Sequence, residues 1–138
     1  MDSTPPPNPP NPPNPPTLPT TYPEPGIAVV SLANPDPTVE SSTSPHGTKV
    51  CEHRLSPPTV LALYETLLLL EDKEDVSCVI LTGGDGRFFC NGFDLKYIHA
   101  HSSEGGLVDD LQQATEMLMA KILKYKKVTV AAVNGHAA

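Results

Sequence analysis

The chain has 138 residues, a formal net charge of −7, 17 prolines and three cysteines. That acidity excludes a nucleic acid or an anionic membrane as a partner held by general electrostatics. Cys51, Cys78 and Cys90 form no CxxC pair, so neither a disulfide framework nor a zinc site is indicated, and a reducing compartment fits best.

Twelve of the prolines fall between Pro5 and Pro25, leaving about 110 residues, enough for one modest core. Asn8, Asn11 and Asn14 each precede a proline pair, a three-residue period that matches the polyproline II turn. Residues 1–25 therefore read as a disordered Pro-rich tail, since proline withholds the donors of helix and sheet. Its PxxP spacings could serve an SH3 or WW domain, although extended spacers share this composition. The N-terminus lacks the apolar core of a secretory signal. It has no Lys or Arg before Lys49, unlike a mitochondrial presequence.

From residue 26 the composition changes. Ile27 to Ala33 is apolar and β-branched, a strand closed by the turn pair Asn34-Pro35. Residues 36–51 are rich in Ser, Thr and Pro and read as a long loop. Ser56-Pro57 has the form of a helix cap followed by proline in the first turn. Val60, Leu63, Tyr64, Leu67 and Leu68 continue at helical spacing, and the acidic run after Leu70 ends the helix in solvent. That apolar stretch is too short to span a membrane and carries Glu65.

Val76 to Thr82 is a continuous apolar run of strand length, the pattern of a strand covered on both faces. Asp94 to Ala100 suits a short helix. Leu107, Leu111, Ala114, Leu118 and Ile122 then lie on one face of a longer one. Lys121, Lys124, Lys126 and Lys127 cluster at its end, where cations suit the helix dipole or could meet a phosphate. Val128 to Val133 is a third strand of the buried type. Strands alternating with helices imply an α/β fold with parallel pairing and right-handed crossovers.

The glycines after Thr82 do not make a nucleotide loop. Arg87-Phe88-Phe89 stands where a dinucleotide fingerprint requires its third glycine, and no GK[ST] follows. Cys90 as nucleophile with His136 as base lacks any neighbour that would lower the thiol pKa. His99 and His101 lack a third ligand, so no metal site is expected. Asp94 reads as the cap of the short helix, with a general acid or base as the alternative. Asn91-Gly92 and Asn134-Gly135 remain. Each follows an apolar run, and two backbone donors converging from such turns would make an oxyanion hole.

"VSCVILTGGDGRFFCNGFDLKYI" followed by "KVTVAAVNGHAA" resembles the crotonase superfamily of enoyl-CoA hydratases and isomerases. "GIAVVSLANP" and "LSPPTVLALYETL" are similar to its first strands and first helix. "FFCNGFDL" with "NGHAA" looks most like the Δ3,Δ2-enoyl-CoA isomerases of peroxisomes. The resemblance runs from residue 26 to 138, with 36–51 as a loop insertion. It implies a partial crotonase-like ββα spiral fold, truncated after about half the core.

By that resemblance Phe93 gives the first oxyanion N–H to an acyl-CoA thioester and Gly92 forms the turn. Gly92, Phe93, Asp94, Leu95 and Lys96 border the substrate surface. Coenzyme A belongs to the substrate, so no separate cofactor is implied. The second donor, the catalytic carboxylates and the trimer-forming helices of the family all come later than Ala138. The resemblance thus implies an isomerase of fatty acid β-oxidation in the peroxisome, of which this chain alone is inactive. Enoyl-CoA hydratase, a non-catalytic interaction protein and a cytoplasmic location are the alternatives.

Overall fold

The computed structural model describes residues 16–32, 42–43, 49–50, 53–84, 87–101 and 105–138. The Asn-Pro-Pro repeats and most of the expected loop insertion lie outside these residues. A four-stranded sheet, with a helical layer on one face, forms the body of the fold. Its strands are β1 (Thr20–Glu24), β2 (Gly26–Ser31), β5 (Val76–Thr82) and β7 (Val128–Ala132), in the order β1-β2-β5-β7. The pairing of β2 with β5 and of β5 with β7 is parallel, as the alternation of strands and helices predicts.

The helices are α1 (Pro57–Asp72), α2 (Leu95–Ala100) and α3 (Leu107–Leu123). Ser56 caps α1, its hydroxyl accepting from the Thr59 N–H, and Pro57 occupies the first turn, where its missing donor costs nothing. Val60, Leu63, Leu67 and Leu70 of α1 meet Ala28 and Val30 of β2, Val79 of β5, and Leu111, Ala114 and Leu118 of α3 in one buried cluster. Leu67 is wholly buried. Truncating such a leucine to alanine costs about 2–5 kcal/mol, a large share of an ordinary domain's stability.

Two elements differ from expectation. Thr20–Glu24, expected within the disordered tail, form a strand paired antiparallel with β2. Proline is tolerated there because β1 is an edge strand, and the pairing slips between Thr21 and Glu24, around Pro23. Leu18 is buried and its N–H donates to the Thr66 hydroxyl, which fastens this arm to α1. The second difference is β7, expected to be covered on both faces. Val128 and Val130 are exposed, and so are Thr129 and Ala131 on the opposite face, so among the described residues neither face of β7 is covered. Within the expected loop, β3 (Ser42–Thr43) and β4 (Lys49–Val50) pair antiparallel.

The lysine cluster ties the ends of the two long helices together. Lys121 forms an ion pair with Glu71 at 2.5 Å, the Lys126 N–H donates to the same carboxylate, and Lys127 donates to the Lys73 carbonyl. The Lys121 hydrogen bond, then the Lys126 N–H, hold the Glu71 carboxyl below its usual value of 4.5. A lowered folded-state pKa adds stability above the unfolded value and loses it as pH falls through the folded one. The stability gap between native protein and Glu71→Gln should therefore shrink as denaturant midpoints are taken from pH 7 towards pH 3. A gap that is constant or widens would show that the pair contributes nothing through ionisation.

Candidate functional site

The turn at Asn91-Gly92 sits between two short parallel pairings. On one side β6 (Phe88–Cys90) pairs with β8 (His136–Ala137), the His136 N–H donating to the Arg87 carbonyl and the Ala138 N–H to the Cys90 carbonyl. On the other, residues 53–55 run alongside. The Asn91 N–H donates to the His53 carbonyl at 3.3 Å, the Leu55 N–H to the Gly92 carbonyl at 2.8 Å, and the Asp94 N–H to the Leu55 carbonyl at 3.0 Å. These bonds pair Leu55 with Phe93 in an isolated parallel bridge.

Their consequence for Phe93 is geometric. The Gly92 carbonyl and the Phe93 N–H belong to one trans peptide, so they point in opposite directions. The bond from Leu55 to the Gly92 carbonyl therefore turns the Phe93 N–H away from residues 53–55. That N–H has no hydrogen-bond partner among the described residues. Gly92 makes the turn with φ +68°, the left-handed region that glycine enters at little cost. The Ala138 carbonyl oxygen lies 3.4 Å from where a Gly92 Cβ would stand.

The five residues singled out by the sequence come together here in different roles. Phe93 and Leu95 expose apolar side chains, at 45% and 70%, and Lys96 is exposed beside them. Asp94 is 3% exposed, and its carboxylate accepts the Tyr97 N–H at 3.0 Å as the cap of α2. Its reading as a cap therefore holds. Cys90 is half-buried against the core, and the His136 ring packs on Phe88 with centroids 5.5 Å apart. His101 stacks on Tyr97 at 4.1 Å, with its Nδ1 at 2.9 Å from the Tyr97 carbonyl.

The second turn works otherwise than the sequence suggested. The Asn134 side chain accepts from the Gly83 N–H at 3.0 Å and donates to the Gly84 carbonyl at 2.6 Å, locking the turn that leaves β5. These bonds span about fifty residues of chain, and no local pattern could have announced them. Gly135 is required by crowding: a Cβ there would lie 2.4 Å from the Arg87 carbonyl oxygen. At Gly83 it would lie 2.2 Å from that of Phe88. These close approaches let β8 and the end of β5 pack against β6. Gly135→Ala should cost about 1–3 kcal/mol, as overpacking does, read from the urea midpoint. An unchanged midpoint would mean that β8 does not depend on this contact.

Residues 53–138 match the model of the enoyl-CoA hydratase/isomerase family. The chain is 33% identical over 90 residues to the peroxisomal enoyl-CoA delta isomerase 2 of Arabidopsis thaliana, covering 63% of this chain and 38% of that protein. It is 34% identical over 90 residues to enoyl-CoA delta isomerase 3 of the same plant, covering 63% and 37%. A solved enoyl-CoA hydratase/isomerase family protein from Silicibacter pomeroyi superposes with a TM-score of 0.62 at 28% identity, covering 86% of this chain and 42% of that one. The chain thus spans less than half the length of these relatives. With a family model matched over more than half its residues and part of the crotonase fold reproduced, the chain belongs to the enoyl-CoA hydratase/isomerase family.

Proposed function

We propose that this chain carries the first oxyanion donor and part of the acyl-CoA surface of a Δ3,Δ2-enoyl-CoA isomerase acting in peroxisomal fatty acid β-oxidation. The supporting observation is the Phe93 N–H, left without a partner among the described residues and turned away from residues 53–55 by the bond from Leu55 to the Gly92 carbonyl. Isomerisation begins when a base removes a proton from C2 of a 3-enoyl thioester. The C–H electron pair forms the C1–C2 double bond, and the carbonyl π pair moves onto oxygen. Protonation at C4 then returns the electrons and leaves the double bond between C2 and C3. Charge develops on the thioester oxygen, and a preorganised backbone N–H stabilises it without reorganising.

The surrounding residues suit this ligand. Exposed Phe93 and Leu95 offer apolar contact beside the cationic Lys96, fitting a long arm that ends in phosphates. Asp94 acts from beneath by fixing α2. Isomerase is favoured over hydratase because the relatives at 33% and 34% identity bear isomerase names. By the resemblance, the second donor, the proton-transferring carboxylate and the trimer contacts belong to the part of the relatives' length that this chain does not span.

If the donor is the backbone, the ring of Phe93 is replaceable and its amide hydrogen is not. In a form of the protein extended to the relatives' length, Phe93→Ala should retain isomerisation of 3-enoyl-CoA. Phe93→Pro should lower kcat about 10²–10³-fold, the usual loss of one oxyanion donor. Proline also fixes φ, so substrate binding and Tm are measured on the same sample. Cys90→Ser should stay active. Abolished turnover in Cys90→Ser, together with activity in folded Phe93→Pro, would contradict the assignment. Water addition to 2-enoyl-CoA in place of double-bond migration would identify a hydratase using the same donor.

A further inference from the structure

The direction of the Phe93 N–H is set by the segment beside it, and that segment contains an unusual residue. His53 has φ +45°, the one non-glycine residue with positive φ among the described residues. It is 4% exposed, and among the described residues neither nitrogen of its ring has a hydrogen-bond partner. Both features are unfavourable: a side chain in the left-handed region crowds its own backbone, and a buried imidazole without partners has given up its hydration. The start of α1 does not impose this conformation, because Ser56 supplies its cap three residues later. What depends on His53 is the turn. Its carbonyl accepts the Asn91 N–H, and two residues on Leu55 grips Gly92 and Asp94.

We propose that His53 is a positioning residue for the Phe93 donor. Its left-handed backbone bends the chain so that its own carbonyl meets Asn91 while Leu55 meets Gly92. The Gly92–Phe93 peptide is thereby held with its N–H directed away from residues 53–55. This rests on the reading of Phe93 as the thioester's donor and adds what aims that donor. The requirement falls on the backbone of His53, which accounts for a ring that makes no hydrogen bond among the described residues. Local strain of this kind collects where a site must be held in one geometry.

The test needs no ligand, so its outcome is separate from whether a thioester binds. Amide hydrogen exchange of the chain is followed by NMR in the native protein, His53→Asn and His53→Val. Asparagine enters the left-handed region readily, whereas a β-branched residue there is an outlier. The Leu55, Asn91 and Asp94 amides should be protected in the native protein and in His53→Asn. In His53→Val they should exchange about tenfold faster or more, with β2 and β5 unchanged. Unaltered protection of these three amides in folded His53→Val would overturn the proposal. So would their loss in His53→Asn, which would assign the role to the ring. Should His53→Val fail to fold, His53→Asn decides alone.

Discussion

One peptide unit governs the site. A trans amide cannot aim its carbonyl and its N–H at the same partner, so anchoring the Gly92 carbonyl on Leu55 commits the Phe93 N–H to the other side. The chemistry proposed for the protein is carried by that single orientation. This donor itself needs neither side-chain acidity nor nucleophilicity, proton transfer being the task of a separate base, and the identity of residue 93 matters mainly through its amide.

The rest of the structure keeps that peptide still. On one flank, β8 lies against β6 closely enough that Gly135 has no room for a Cβ. On the other, residues 53–55 hold the turn through three backbone bonds, continuing directly into the Ser56 cap of α1. Asn134 joins the end of β7 to the turn after β5, so the loops at this end of the parallel strands form one connected layer. Behind them, the cluster around Leu67 and the Glu71–Lys121 pair fix α1 to α3. Backbone geometry at the turn is thus referred, bond by bond, to the apolar core.

Much of this was legible in the sequence where local signals were strong. Ser56-Pro57 and the spacing of Val60, Leu63 and Leu67 specify α1, and Asp94 specifies the cap of α2, because caps and helical periodicity are encoded within a few residues. β1 was hidden by Pro23 and the flanking Pro19 and Pro25; an edge strand accepts a proline that a central one would not. The exposure of Val128 and Val130 was hidden because an apolar run reports affinity for cover, not whether cover is present. β6 and β8 are too short to show any period. Phe93 was found through the resemblance of "FFCNGFDL" to a family, not through composition. The roles of His53, Leu55 and Asn134 depend on partners distant in sequence, and nothing local marks them.

The central claim is that the Phe93 N–H polarises a thioester carbonyl. It is tested most directly by difference infrared spectroscopy of a saturated acyl-CoA carrying a ¹³C label at that carbonyl. On binding to the native chain or to Phe93→Ala, the labelled band should move to lower frequency, because a hydrogen bond weakens the C=O bond. On Phe93→Pro, which has no N–H at that position, it should stay near its free-solution position. Absence of saturable binding to the native chain, an unshifted band there, or an equal shift on folded Phe93→Pro would contradict the account.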